Sequence, residues 1–386
     1  MEIYLDNCAT TRVCPEAAEA CLKAMTADYG NPSSLHRKGL EAEAILTDAR
    51  KTVAKILSCQ PESIYFTSNA TESNNLSLLG AAAAYPRNGK TLITTAVEHS
   101  SVANAASHLE KLGYTVKRVK PRPDGHFAVE DFLEAVDSDT FLVSFMMVNN
   151  EIGTVLPYET LIPALKRKFP KLLIHMDAVQ GFAKYPLNLK RLDLDFLSFS
   201  GHKLYAPKGI GVLYVKKGVR LTPLAYGGGQ EGALRPGTQA VELAAALKEA
   251  LLLCQRDGKA WAQTCEALNR RLREGVSALP RVTVNSPLDG APHILNLSVL
   301  GIRSEILLHF LEERGIYVSS GSACSKGAKS PTLAAYGLTP EQIDSAIRIS
   351  FSKDTTEAEI DALLSALSDA IAKLRPIIEK NGKERP

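Results

Sequence analysis

Three side chains carry the reactive chemistry of this sequence: the amine of Lys203, the carboxylate of Asp177 and the thiol of Cys324. Lys203 closes the tetrapeptide Ser200-Gly201-His202-Lys203, which has few other charges around it. An amine held away from water binds its proton less tightly and becomes a nucleophile toward carbonyl carbon. Asp177 stands in His175-Met176-Asp177-Ala178-Val179-Gln180. A carboxylate there would favour the charged form of a pyridine ring. An amine to join an aldehyde, with an anion to keep a pyridine nitrogen protonated, predicts pyridoxal phosphate as cofactor and its ring as an electron sink. Cys324 ends the run Ser319-Ser320-Gly321-Ser322-Ala323-Cys324, among small polar residues, with Lys326 and Lys329 to favour its thiolate. A nucleophilic thiol added to that cofactor chemistry predicts removal of sulfur from an amino acid.

Other candidates have a plainer structural reading beside the functional one. Thr67-Ser68-Asn69-Ala70-Thr71-Glu72 suits a helix N-cap, and the free amides of such a terminus also hold a phosphate. Ser200 and His202 could add hydrogen bonds to the same phosphate. His99, in Glu98-His99-Ser100, is either a structural histidine or an imidazole that stacks on a ring and relays protons. Asn149, in Asn149-Asn150-Glu151-Ile152-Gly153, is a polar loop residue or a donor to cofactor and substrate. Arg348, in Ile347-Arg348-Ile349-Ser350, is an exposed strand residue or a guanidinium fork for an α-carboxylate.

These residues need a scaffold that brings loop ends together, and the hydrophobic patterning supplies one. Short apolar runs at 63–67, 91–95, 115–119, 141–146, 172–175, 196–199 and 210–215 read as strands. Helical patterns at 72–85, 102–112 and 161–168 are interleaved with them. That alternation predicts a mainly parallel α/β sheet covered by helices on both faces, with ligands at the carboxyl ends of the strands. Beyond Gly227–Gly229 the texture changes. Helices are expected at 239–255 and 261–279, strands at 282–284, 294–298, 317–319 and 347–351, and amphipathic helices at 304–314 and 356–374. This predicts a smaller α/β domain, with a boundary near Cys254.

Composition excludes several function classes. The chain has 386 residues, 45% hydrophobic and 23% charged, with a net charge of +3, too small to argue for nucleic acid or an anionic membrane. The acids in Met1-Glu2-Ile3-Tyr4-Leu5-Asp6 do not resemble a secretory signal, so none is expected, and no apolar run is long enough to span a bilayer. The seven cysteines are odd in number and form no CxxC pair, which disfavours a disulfide framework or a zinc site and fits a reducing, cytoplasmic compartment.

The motifs YLDNCATT at 4–11, GNPS at 30–33, FTSNATESNN at 66–75, VNNEIG at 148–153 and HMDAVQ at 175–180 occur in this order. SFSGHKLYAPKGIG at 198–211, GGGQEGALRPGT at 227–238, SSGSAC at 319–324 and RIS at 348–350 follow. The ordered set resembles the cysteine desulfurases, fold-type-I pyridoxal phosphate enzymes of the class V aminotransferase group. The serine-rich cysteine loop is similar to that of the housekeeping branch that feeds iron–sulfur cluster assembly.

The resemblance implies a large domain at 15–255 with a mainly parallel seven-stranded sheet, and a small domain of 1–14 and 256–386 that carries the cysteine loop. It implies that Lys203 holds the cofactor as a Schiff base, that Asp177 pairs with the pyridine nitrogen, and that Gln180 bonds the phenolic oxygen. His99 would stack on the ring and move protons. Ala70, Thr71, Ser200 and His202 would bind the phosphate, joined by Thr238 of a homodimer partner. Asn149 would touch cofactor and substrate, and Arg348 with Asn31 would hold the carboxylate of L-cysteine. Cys324 would take the sulfur as a persulfide, pass it to an acceptor protein such as a cluster scaffold or a tRNA-thiolation protein, and at most transiently ligate iron. No resident metal is expected. The sequence departs from the family's habit at Asn7-Cys8, at Glu231-Gly232-Ala233, at Pro236 and in the charged continuation Ser325-Lys326-Gly327-Ala328-Lys329. Alternatives are a selenocysteine lyase or another class V aminotransferase, in which Cys324 would be dispensable. A non-catalytic protein that keeps the fold is a further alternative, against which the intact Lys203 argues.

Overall fold

The computed structural model describes residues 2–320 and 330–383, with side chains to 376. Cys324, Lys326 and Lys329 lie outside the described residues. A seven-stranded sheet forms the larger layer. Across it the strands run Ile64–Thr67, Gly211–Val215, Phe196–Ser200, Leu173–Asp177, Thr140–Met146, Thr91–Thr95 and Thr115–Val119. Only Gly211–Val215 is antiparallel to its neighbours. Most positions of the central strands are buried, as expected of strands covered on both faces. The fold is therefore the α/β class expected. Among the described residues no helix is long and apolar enough to cross a membrane.

The second sheet is antiparallel, in the order Ser319–Ser320, Ala346–Ser350, Ile294–Val299, Val282–Val284. The chain start belongs beside it: Ile3–Tyr4 pairs in parallel with Ile316–Tyr317, and Asp6 bridges to Ser350. Ile3 and Leu5 are buried in the core of this sheet, whereas Cys8 and Cys14 are buried in the core of the larger one.

One helix of 37 residues, Val241–Ser277, joins both layers. Leu247, Leu251 and Cys254 on its first half pack in the larger core, and Leu268, Leu272 and Val276 on its second half in the smaller. The two helices expected here are thus one. Gly258 reads as a break in the sequence, but a continuous apolar stripe on either side outweighs its propensity cost of roughly 1 kcal/mol.

Three further elements differ from expectation. The strand expected at 172–175 is Leu173–Asp177, so Asp177 is its last residue. The strand expected at 317–319 is two short pieces that belong to different sheets. The helix expected at 72–85 is Ala70–Asn75, a π turn at Leu76–Gly80, and Ala81–Ala84. Helices Pro15–Thr26 and Arg37–Leu57 were not anticipated; both pack on the long helix.

Candidate active site

The carboxyl ends of five parallel strands meet the edge of the second sheet around a cavity of about 430 Å³. Leu173–Asp177 delivers Asp177, and Phe196–Ser200 delivers Ser200 and the turn Gly201–Lys203. The two strands are paired with Asp177 opposite Ser198. Beneath them His175 bridges Ser144 Oγ at 2.8 Å and Ser198 Oγ at 3.0 Å, tying three strands in register. Burial lowers His175 to about 3, so the bridge is a neutral imidazole. Phe182 and Phe199 stack with centroids 3.8 Å apart and clamp the two turns that follow the strands.

The helix Ala70–Asn75 starts directly over Gly211. A Cβ at Gly211 would lie 2.5 Å from the Asn69 carbonyl carbon, so only glycine lets the helix start sit there. Asn69 caps the helix by accepting from the Glu72 amide at 3.0 Å. Ala70 and Thr71 line the cavity at this terminus, where the first amides of a helix lack intrahelical partners.

Asp177 is buried. Its Oδ2 accepts from Asn74 Nδ2 at 2.8 Å and its Oδ1 from the Val179 amide at 3.0 Å. It has no ion pair among the described residues. Burial raises its proton affinity, opposed by the Val179 amide, by His99, by Asn74 and by Lys203. The second hydrogen of Asn74 goes to Ser101 Oγ at 2.9 Å, and that hydroxyl lies 2.8 Å from His99 Nδ1. The Ser101 amide also donates to Nδ1, so the neutral ring carries its proton on Nε2. Burial holds His99 below its usual range. Next to it Glu98 is buried outright and pushed up to about 8, chiefly by burial. Its Oε1 accepts from Met146 N at 3.1 Å and ties the next strand to this turn.

Lys203 donates to the carbonyls of Cys8 and, at 2.8 Å, of Ala9. Burial lowers it to about 8. Gln180 Nε2 donates to the same Cys8 carbonyl at 3.1 Å. His202 lies 3.3 Å from Thr10 Oγ1 and is lowered to about 4, by burial and then by Lys203 and Lys208. Across the cavity Arg348 gives Nη2 to Asp6 at 2.8 Å and Nη1 to the Asn150 carbonyl at 2.9 Å, while its Nε has no partner among the described residues.

The cavity therefore gathers Lys203, Asp177, Gln180, His99, Ala70, Thr71, Ser200, His202 and Arg348. Three other candidates are placed elsewhere. Asn149 is wholly buried; it accepts from the Glu151 and Ile152 amides at 3.0 and 2.8 Å and donates to the Val97 carbonyl at 3.0 Å. It shapes the loop, and Asn150 and Glu151 line the cavity instead. Asn31 and Thr238 are exposed and do not line the cavity.

The profile of the Aminotransferase class-V family matches residues 3–363. The chain belongs to the class-V aminotransferase family. Among its relatives a NifS/IcsS protein homolog from Lactobacillus delbrueckii subsp. bulgaricus is 42% identical over 373 residues, 95% of this chain and 96% of that one. Cysteine desulfurase IscS of Vibrio vulnificus is 39% identical over 383 residues, 97% of this chain and 94% of that one. A solved NifS-like protein superposes with a TM-score of 0.92 at 38% identity, over 97% of this chain and all of that one. A structure described as SspA in complex with cysteine gives 0.81 at 30% identity, over 92% of this chain and 100% of that one.

Class-V aminotransferases work with pyridoxal phosphate, and this cavity fits it. The buried Asp177 carboxylate has no ion pair among the described residues, and a protonated pyridine nitrogen would supply one. Sequence reasoning missed Asn74, Ser101 and Asp6 as parts of the site. Asn74 lies inside the motif at 66–75, but its partner is 103 residues away in sequence. In the sequence Glu151 reads only as part of a polar loop. It accepts from Ser330 Oγ at 2.7 Å, and burial raises its proton affinity. Ser319 and Ser320 line the same cavity.

Proposed function

We propose that this class-V aminotransferase family member is an L-cysteine desulfurase that leaves L-alanine and places the sulfur on Cys324 as a persulfide. The observation that carries the reading is the junction of two features at one cavity. Lys203 and Asp177 face it, and both chain ends flanking 321–329 are fastened to its rim, Ser320 by strand pairing and Ser330 by Glu151.

Bound pyridoxal phosphate would supply an aldehyde for the substrate amine and a ring that stores an electron pair. Lys203 would hold it, Asp177 would keep its ring nitrogen protonated, and Gln180 would meet its phenolic oxygen. Ala70, Thr71, Ser200 and His202 would hold its phosphate. Lys203, with its proton affinity already lowered, takes and returns the proton at the substrate Cα. His99 covers the ring and carries a proton on Nε2 toward the reacting atoms. Arg348 has donors left for the α-carboxylate after Asp6 and Asn150 are served. The Cys324 thiolate attacks the substrate sulfur: an S–S bond forms, the Cβ–S bond breaks, and its electron pair stays on Cβ, which takes a proton to become the methyl of alanine. A sulfur acceptor protein for iron–sulfur cluster assembly or tRNA thiolation then removes the outer sulfur.

In the same reading the chain divides into 15–255 and 1–14 with 256–386, and it works as a homodimer. Thr238 is exposed outside its own cavity, and Leu35 and Tyr226 expose 95% and 84% of their surfaces, as apolar side chains awaiting a partner do. A monomeric mass in sedimentation would remove Thr238 from the site. The six described cysteines are unpaired, which supports a reducing cytoplasm. The deciding experiment adds L-cysteine and a reductant to the holoenzyme and quantifies alanine and sulfide together. Equal yields are expected, lost in Cys324→Ala with the cofactor absorbance intact. Turnover undiminished in that variant refutes the role of Cys324 and points to selenocysteine or another amino acid as substrate.

A further inference from the structure

A second cavity, of about 260 Å³, shares Lys203 with the first and opens against the long helix Val241–Ser277. Gln180 stands between the two. Its side chain lines the first cavity and bonds the Cys8 carbonyl, while its own carbonyl serves Lys184 on the other side. Lys184 is half-buried at this cavity, and burial lowers its proton affinity. Its one hydrogen bond among the described residues is this 3.3 Å contact, and it has no ion pair among them. His293 lines the same space, 6% exposed, with Nε2 unpartnered. Trp261, Tyr205 and Phe351 form an apolar wall around Ala262.

Neither polar group has a role in the proposed reaction, and leaving a buried ring nitrogen beside a half-buried cation unmatched is costly. We propose that this cavity is a second binding site, for a small carboxylate with an apolar body and one hydroxyl. The carboxylate pairs with Lys184, the hydroxyl meets His293 Nε2, and the apolar body lies against Trp261. Lys184 is the cation this cavity leaves over: Lys203 belongs to the first cavity, Lys353 is paired with Asp354, and Glu266 is the single acid in the lining.

Trp261 is the only tryptophan of the chain, so its emission reports this site. The probe is 2-hydroxyisocaproate, which has a carboxylate, a hydroxyl and a branched apolar tail, and does not absorb where tryptophan is excited. It is titrated into the holoenzyme with L-alanine present in excess to keep the probe from Arg348. A saturable change with a Kd of about 1 mM or tighter is expected. Lys184→Met should weaken it about tenfold or more, and His293→Phe or loss of the probe's hydroxyl should also weaken it. Ala262→Leu, which fills the space and leaves Lys184 in place, should abolish it with the cofactor absorbance and melting temperature kept. If Lys184→Met does not fold, Ala262→Leu decides. No saturable change up to about 10 mM in the unaltered protein means the cavity holds water only and overturns the site. Equal binding in Lys184→Met, or in Ala262→Leu, overturns it as well.

Discussion

Asn74→Ala is the most direct test of how the site is held together. Asn74 lines the cavity, and its two side-chain hydrogens reach Asp177 at 2.8 Å and Ser101 at 2.9 Å. A hydrogen bond to an ionised group contributes about 1.5–3 kcal/mol, and that to a neutral hydroxyl about 0.5–1.5 kcal/mol. The first bond holds Asp177 charged in a site where burial pushes toward protonation. At about 1.4 kcal/mol per tenfold, its loss lowers kcat/KM by roughly 10- to 150-fold. Ser101→Ala removes the hydroxyl that supports His99 and accepts the second Asn74 hydrogen, and should lower it by about 2- to 10-fold. The pH profile separates this from a packing defect. With Asn74→Ala, Asp177 takes up its proton more readily, so the acid limb of activity moves to higher pH; a simple loss of packing leaves the limb in place. Steady-state alanine formation from pH 5.5 to 9 and the cofactor's visible spectrum are the two readouts. Activity within about twofold of the unaltered enzyme, with an unmoved acid limb, would show that Asn74 does not hold Asp177 in its charged form.

Two further results are expected. Because burial lowers Lys203 from 10.5 to about 8, the neutral amine fraction rises as pH climbs to about 8 and levels off above it. The rate at which apoprotein captures pyridoxal phosphate should follow that curve, and a rate still climbing at pH 10 contradicts the buried environment. Glu231 has a side chain 1% exposed and is held by Arg50 at 2.7 and 2.8 Å and by the Phe66 amide at 2.8 Å. Arg50→Ala leaves that carboxylate buried without its cation and should cost about 3–5 kcal/mol in a denaturant titration; a loss under about 1 kcal/mol refutes the pairing as a structural tie.

The sequence makes the scaffold legible where period and length agree. The runs at Thr91–Thr95 and Thr115–Val119 are found where expected, because a short apolar run between turn signals has few other solutions. It misleads where a local signal is outvoted by packing. Gly258 suggests two helices, but the apolar positions before and after it stay in phase and bury against two different cores. Lys203, Asp177 and His99 are legible because strand ends converge in this fold class. Asn74 and Asp6 are not, because their partners are 103 and 342 residues away and nothing local marks the pairing.

The chain start is the part of the site that composition and periodicity least suggest. Residues 6–11 cross from the small sheet to the large one and meet three groups on the way. Asp6 neutralises Arg348, the carbonyls of Cys8 and Ala9 take the hydrogens of Lys203, and Thr11 Oγ1 donates to the His202 carbonyl at 3.0 Å while accepting the Tyr205 amide at 2.8 Å. The Thr11 contacts fix the backbone of the turn; the Asp6 and Cys8 contacts hold cations that the proposed reaction must use. Binding of cofactor and substrate would thus be an exchange. Lys203 gives up two carbonyls when it joins the aldehyde, and Arg348 shares a carboxylate it already has with one that arrives. A pre-formed ion pair keeps Arg348 oriented at little reorganisation cost, and its bare Nε gives the incoming carboxylate a donor with nothing to displace. Asp6→Asn tests this division. It keeps the shape and removes the charge, so KM for L-cysteine should change while the cofactor's spectrum and the rate of its capture by Lys203 stay as they were. A changed spectrum with an unchanged KM would place Asp6 with the cofactor instead.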